Sequence, residues 1–347
     1  MHLDRLFQSG RIGTMEVKNR IVMAPMGLQC HDPEGFIRDH LVDYFAERAK
    51  GGVGFIITMI CSAVNFAPSP GGAGIWDDKF IPGIRKVNTA VHEAGAKIAW
   101  QLGCRGKELS LYLEKLPVAF IHKPKGEGVI KALAPSAIPW VYNNKVPEEA
   151  TLQDIKDIVE SMGEAARRLK DAGSDAVEIH GGHGKIITQF LSPRDNKRTD
   201  EYGGSIEKRA RFACDIISRV RQKVGPDFPI VFRWSASDFL PGGTTIEDSM
   251  QQAPLFVEAG ADALNVSASE FMSTEWQFLS YLFPDGAIVH LAEAIKKVVD
   301  VPVITVGKIW DPRHAERILE EGKADFIAVG RQLLADPQWP NKAKKNR

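Results

Sequence analysis

Two pairs of adjacent residues, Gly307-Lys308 and Gly330-Arg331, have the composition of an anion cradle. Glycine lets backbone N–H groups approach an oxygen closely, and the lysine and arginine supply opposite charge where the free amides of a helix start already favour an anion. Together the pairs imply a phosphate ligand. Gln101 and Arg233 lie inside the apolar runs AKIAWQL and PIVFRW, where an amide or a guanidinium is costly to bury unless partnered. A bound polar ligand accounts for both; an internal salt bridge is the plainer alternative for Arg233. His180 and His183, in HGGHGK, add polar groups at the end of another run and are spaced so that metal binding has to be weighed. No carboxylate or cysteine cluster accompanies them, so no metal is expected.

These residues share a feature of position: each lies at or just beyond the end of a short apolar run. The runs are IVMA at 21–24, VGFIIT at 53–58, AKIAWQL at 96–102, DAVEIH at 175–180, PIVFRW at 229–234, DALNVS at 262–267, PVITVG at 302–307 and DFIAVG at 325–330. They are continuous rather than alternating, as strands covered on both faces should be, so the sheet should be parallel. Amphipathic helices separate them. One spans 151–171, with Ile155, Ile158, Val159, Met162, Ala166 and Leu169 on one face behind an N-cap at Thr151; another runs from Ser205 to Val224. Eight strand-helix repeats predict an α/β fold of the (β/α)8 TIM barrel class, with an open doubly wound sheet as the alternative. Residues 1–20 should form a hairpin closing the barrel bottom, and the Pro- and Gly-rich stretch 103–150, with its PKGEG turn, should be an insertion at the carboxyl end. One domain is expected over 1–347. In such a barrel the loops after the strands build the active site, and those after the seventh and eighth often hold a phosphate. Pro25-Met26-Gly27, Gln101, His180, His183, Arg233 and the two glycine pairs would then converge on one mouth.

Composition narrows the function further. Lys plus Arg and Asp plus Glu both number 44, so no overall field favours nucleic acid or an anionic membrane surface. The four cysteines are scattered without a CxxC pair, which fits a reducing, cytoplasmic setting. The start, MHLDRLFQSGRIG, lacks a signal-peptide run, and no stretch approaches the ~20 apolar residues of a membrane span.

The segment HGGHGKIITQFLSPRDNKRTDEYGGSIEKRARF, from His180 to Phe212, closely resembles the central signature of the old yellow enzyme family, in particular its 2,4-dienoyl-CoA reductase-like branch. The likeness continues through IVMAPM, AERAKGGVGFIIT, VFRWSASDFLPGG, VHLAEAIKKVVDVPVITVGKI and AVGRQLLADPQWPNKA. It implies FMN, with Pro25 and Met26 against the ring, Gln101 on the pyrimidine edge, Arg233 near N1 and O2, and Gly307, Lys308, Gly330 and Arg331 at the phosphate. It also implies that His180 and His183 hold the carbonyl oxygen of an α,β-unsaturated substrate, stabilising the enolate that develops as hydride arrives.

Three departures from the family pattern matter. Lys185 stands where the family's proton-donating tyrosine is usual; a lysine desolvated toward neutrality could replace it, bind an anionic group, or leave protonation to water. Tyr202 is a weaker substitute, since the resemblance implies a structural role for the matching residue. After Gln101-Leu-Gly come Cys104, Arg105, Gly106 and Lys107 rather than the family's histidine and arginine, and Gly27 replaces a flavin-tuning cysteine or threonine. Cys30 reads as a packed thiol. The insertion carries Arg105, Lys107, Lys115, Lys123, Lys125 and Lys131 against Glu108, Glu114 and Glu127, a surplus that suits either a coenzyme A phosphate or a solvated loop.

The leading expectation is an FMN-dependent ene reductase that takes hydride from NAD(P)H and acts on a conjugated carbonyl compound or an acyl-CoA thioester, with His180, His183 and Lys185 catalytic. The alternatives are an FMN-dependent amine dehydrogenase or demethylase, a flavin-binding electron-transfer subunit without turnover, and a flavin-free phosphosugar enzyme. The last leaves Gln101 and Arg233 together unexplained. Larger relatives continue into a 4Fe-4S centre and an FAD domain, so the chain is either a one-domain enzyme or the front of a longer protein. Oligomeric state, a homo-oligomer included, is left open.

Overall fold

The computed structural model describes residues 2–28, 32, 34–65, 73–110 and 131–345. All eight apolar runs form strands: β1 Ile21–Met23, β2 Phe55–Ser62, β3 Lys97–Gly103, β4 Ala176–Gly181, β5 Ile230–Ser235, β6 Ala263–Ser267, β7 Val303–Thr305 and β8 Phe326–Val329. Each pairs in parallel with the next, and β8 pairs back with β1. That last pairing closes the barrel and excludes the open-sheet alternative.

The continuous runs conceal a strict alternation. Val22, Phe55, Ala99, Ala176, Val231, Ala263, Ile304 and Phe326 pack together inside the barrel, whereas Ile56, Ile98, Val177, Ile230, Phe232, Leu264 and Ile327 pack outward into the larger core beneath the helices. Successive side chains point to opposite faces of a strand. Ile12, Met15 and Val17 join the inner cluster from an antiparallel hairpin, Gly10–Ile12 with Met15–Val17, which plugs the amino end as expected.

The outer helices are α1 Asp39–Lys50, α2 Ile81–Glu93, α3 Leu152–Asp171, α4 Ile206–Val224, α5 Ile246–Glu258, α6 Val289–Lys296 and α7 Pro312–Glu320, followed by short helices Arg331–Ala335 and Trp339–Lys345. Thr151 caps α3 reciprocally with Asp154, as expected, and Ser205, expected as the first residue of its helix, caps α4 instead.

The described parts of the insertion lie at the carboxyl end. Leu133–Ala134 pairs with Glu148–Glu149, and Trp140 packs edge-on to Phe271, 5.5 Å between centroids, in the loop that follows β6. The PKGEG turn, Cys30, Glu114, Lys115, Lys123, Lys125 and Glu127 lie outside the described residues. Among the described residues, no helix is long and apolar enough to cross a membrane, and no group of three or more His, Cys, Asp or Glu is placed to hold a metal ion.

Candidate active site

The inward faces of four neighbouring strands change character toward the carboxyl end. On β3 the inner position after Ala99 is Gln101; on β4 Ala176 is followed by Glu178 and His180; on β5 Val231 by Arg233 and Ser235; on β6 Ala263 by Asn265 and Ser267. Period two thus carries an apolar floor into a polar layer, and all of these polar residues are buried. Gln101 Nε2 and Asn265 Nδ2 each donate to Glu178, both at 2.6 Å. Burial raises the pKa of Glu178, opposed chiefly by the charge of Arg233, and burial lowers that of Arg233. Arg233 therefore feels the charge of Glu178, but among the described residues no ion pair joins them, so the salt bridge of the plainer reading is not formed. One guanidinium nitrogen reaches Ser267 Oγ at 3.3 Å, while Nε and Nη1 of Arg233 and Oδ1 of Asn265 find no partner among the described residues. Orphaned buried polar atoms are costly and rare. With Gln101 Nε2 spent on Glu178, its carbonyl remains to accept. Donors and acceptors open side by side suit the polar edge of a flavin ring.

Around the barrel, the two glycine-cation pairs close the other half of the mouth. A Cβ on Gly330 would touch Met26 Sδ at 3.4 Å, so the loops after β8 and β1 are neighbours. Gly307 has φ +121° and no room for a side chain, since Ile288 Cγ1 would lie 2.5 Å from its Cβ. Among the described residues no acceptor is found for the backbone N–H groups of Gly307, Lys308, Gly330 or Arg331. The two cations, in contrast, are engaged. Lys308 Nζ donates to the carbonyls of Tyr281 (3.3 Å) and Phe283 and lies 3.6 Å from Asp285. Arg331 grips the Leu279 carbonyl with both terminal nitrogens, at 3.2 and 3.1 Å. Only Arg331 begins a helix; three residues, Ile309 to Asp311, separate Lys308 from α7. The sequence had placed both at helix starts. Four open amides on two adjacent loops fit a phosphate, with the side-chain charge held nearby against the 279–283 loop.

His180, at the end of β4, and His183 face each other at 5.2 Å between ring centroids. His183 sits in the left-handed region, φ +59°, its N–H donating to Ser235 Oγ at 2.9 Å and its Nε2 paired with Ser267 Oγ at 2.8 Å. A left-handed non-glycine residue persists where its surroundings fix it, and two serines from adjacent strands do so here. Burial holds both imidazoles well below their ordinary pKa, reinforced by each other's field at His180 and by Arg233 and Lys185 at both, so they are neutral near pH 7. His180 Nδ1 has no partner among the described residues. Lys185 precedes the short helix Ile186–Leu191, its Nζ 4.5 Å from the centroid of the Phe271 ring and 3.7 Å from Glu108 Oε1. Burial, helped by Arg105, draws its pKa down to about 7. Tyr202 is elsewhere engaged, donating to Asp215 at 2.9 Å.

The site also includes residues that sequence reasoning did not single out: Glu178, Asn265, Ser235, Ser267 and Phe271, and Glu108 as more than a loop charge. Glu178 and Asn265 carried a signal, a polar residue at the inward period of a run otherwise buried on both faces.

The chain matches the model of the NADH:flavin oxidoreductase / NADH oxidase family over residues 5–347. It belongs to that family. A relative described as NADH oxidase, from Thermoanaerobacter brockii, is 42% identical over 349 residues, covering 100% of this chain and 52% of its own length. Cinnamate reductase from Clostridium sporogenes is 36% identical, covering 97% of this chain and again 52% of its own. The chain thus spans about half the length of these curated relatives. The solved complex of 2-naphthoyl-CoA reductase with 2-naphthoyl-CoA superposes with TM-score 0.90 at 28% identity, over 100% of this chain and 53% of that one. An old yellow enzyme homologue from Zymomonas mobilis superposes with TM-score 0.81 at 25% identity, over 99% and 93%. Family membership supports FMN with NAD(P)H, and the open polar edge and open amides described above fit that cofactor.

Proposed function

We propose that this barrel is an FMN-dependent ene reductase acting on the activated C=C bond of an α,β-unsaturated carbonyl compound, a carboxylate or acyl-CoA thioester included. Gln101 and Arg233 would hold the flavin's polar edge, Pro25 and Met26 would lie against the ring, and Gly307, Lys308, Gly330 and Arg331 would hold the phosphate end. Bound there, FMN would supply the redox chemistry, hydride transfer from NAD(P)H to the β carbon of the acceptor.

The observation that carries the reading is the His180–His183 pair. Two neutral imidazoles face each other at the carboxyl end of β4, one with a ring nitrogen unpartnered and the other braced by serines. N–H donors converging on a carbonyl oxygen stabilise the charge that develops there when hydride adds to the conjugated bond. Lys185 is a group whose proton is exchangeable near neutral pH, suited to protonating the α carbon. Cinnamate is an α,β-unsaturated carboxylate and 2-naphthoyl-CoA an aryl thioester, and the relatives named for reducing them support this substrate class. The barrel as a one-domain unit over residues 1–347, in a reducing cytoplasmic setting, is part of the same proposal.

Anaerobic stopped-flow spectroscopy tests it. The FMN-loaded protein, reduced with NAD(P)H, is mixed with a panel of enones, enoates and enoyl-CoA thioesters. One class should reoxidise the flavin, with His183→Ala slowing that step by about 10²–10³-fold and Lys185→Ala by about 10²-fold. If no acceptor reoxidises the flavin but an amine alone reduces it, the protein is an amine dehydrogenase instead.

A further inference from the structure

Glu108 lies in the loop after β3, yet it is 0% exposed. Its two oxygens are used differently. Oε2 accepts from the Gly106 N–H at 2.9 Å and from Gln189 Nε2 at 3.2 Å, and Gln189 also donates to the Gly184 carbonyl at 2.7 Å. This oxygen ties the β3 loop to the loop carrying His183 and Lys185. Oε1 accepts no hydrogen bond among the described residues and faces two cations, Lys185 Nζ at 3.7 Å and Arg105 Nη1 at 3.9 Å. Anchoring the loop needs one oxygen; the second is left as buried negative charge beside the lysine.

We infer that Glu108 is a positioning residue whose Oε1 keeps Lys185 in its protonated, proton-donating form. The inference rests on the reading of Lys185 as the proton donor proposed above. Among the described residues, besides Glu108, the groups facing Lys185 are Arg105 from the β3 loop, His180 and His183 from the end of β4 and Phe271 from the loop after β6. Lys107, the next cation of the β3 loop, is taken by Asp195 at 2.6 Å. Burial and Arg105 favour the amine. The Phe271 ring face and Glu108 favour the ammonium, and Glu108 is the only carboxylate among the described residues within ion-pair distance of Lys185. In the step it supports, an N–H bond of Lys185 breaks as the α C–H bond forms with the enolate's electron pair, and the resulting amine regains a proton from water.

The test reads Lys185 directly. Competitive acetylation of the FMN-loaded protein with acetic anhydride, quantified at Lys185 by mass spectrometry from pH 5 to 10, gives the lysine's titration midpoint without turnover. Glu108→Gln retains an acceptor for Gly106 but removes the charge, and should lower that midpoint by about one pH unit or more. Arg105→Gln should move it the opposite way. Circular dichroism verifies folding, and if Glu108→Gln does not fold, Arg105→Gln and Glu108→Asp carry the test. In stopped flow, the fall in reoxidation rate with rising pH should shift in parallel with the labelling midpoint. A midpoint unmoved in the folded variants overturns the inference and leaves Glu108 a loop anchor. A midpoint that moves while the rate profile stays fixed upholds Glu108's role toward Lys185 but removes Lys185 as proton donor.

Discussion

The two halves of the mouth are built on opposite principles. Across β3 to β6, side chains do the work and are left incomplete: Arg233, Asn265 and His180 each carry a buried polar atom without a partner among the described residues. In the loops after β7 and β8 the two cationic side chains, Lys308 and Arg331, are satisfied by the protein's own carbonyls, and the backbone amides are what stays open. A polar edge that changes charge during a reaction calls for groups with tunable charge. A phosphate that only has to be held can be left to fixed amides, which undergo no protonation change. The first half therefore leaves charged and polar side chains unpaired, and the second leaves backbone amides unpaired.

The largest expected effect comes from breaking the charged half at its centre. Arg233→Met leaves Glu178 as an uncompensated buried charge, which should cost about 3–5 kcal/mol in urea unfolding of the FMN-free protein. Adding Glu178→Gln should restore much of that loss, because the residue left behind can be neutral. If Arg233→Met unfolds at the wild-type midpoint, the arginine does not neutralise the layer, and the contrast between the halves disappears.

Asp238 asks whether an unpaired buried atom on this side always awaits a ligand. It follows β5, is fully buried, accepts from the Thr244 N–H and Ser192 Oγ, both at 2.7 Å, and has its other oxygen unpartnered. Burial pushes its pKa up to about 6. The folded protein therefore holds this proton more tightly than the unfolded chain does, and stability falls as pH rises from the ordinary carboxylate range to about 6, then stays lower. Asp238→Asn should be more favourable to stability at pH 8 than at pH 4 by on the order of 2 kcal/mol, since any packing cost of the amide is common to both. A pH-independent difference would mean that the carboxyl group is already relieved, and that its open oxygen is not comparable with those of Arg233.

Much of this was legible in the sequence for a physical reason. A parallel strand buried on both faces has to be a continuous apolar run, and eight such runs between amphipathic helices leave few ways to fold. The signature around His180 and His183 was equally plain. Glu178 and Asn265 escaped because DAVEIH and DALNVS read as buried runs, and which face a residue takes depends on a register fixed only by the closed barrel. The engagement of Lys308 and Arg331 escaped for another reason. Their partners are backbone carbonyls of Leu279, Tyr281 and Phe283, and every residue type offers a carbonyl, so nothing in side-chain chemistry advertises the contact.

That engagement supplies the finest test of the contrast. If the open amides of Gly307, Lys308, Gly330 and Arg331 hold the phosphate while the cations chiefly fasten the 279–283 loop, Lys308→Ala and Arg331→Ala remove loop contacts and only a secondary electrostatic contribution to the ligand. Each should weaken FMN binding, measured by fluorescence titration, by about three- to tenfold, the scale of one hydrogen bond of about 1 kcal/mol. Hydrogen exchange at residues 279–283 should quicken in the same variants, with or without FMN. Leu279 makes the exchange readout sensitive, because it is held at φ +35°, a conformation a leucine keeps only under constraint. A hundredfold loss of FMN affinity with unchanged exchange would reverse the assignment: the cations would then belong to the phosphate, and both halves of the mouth would depend on side-chain charge.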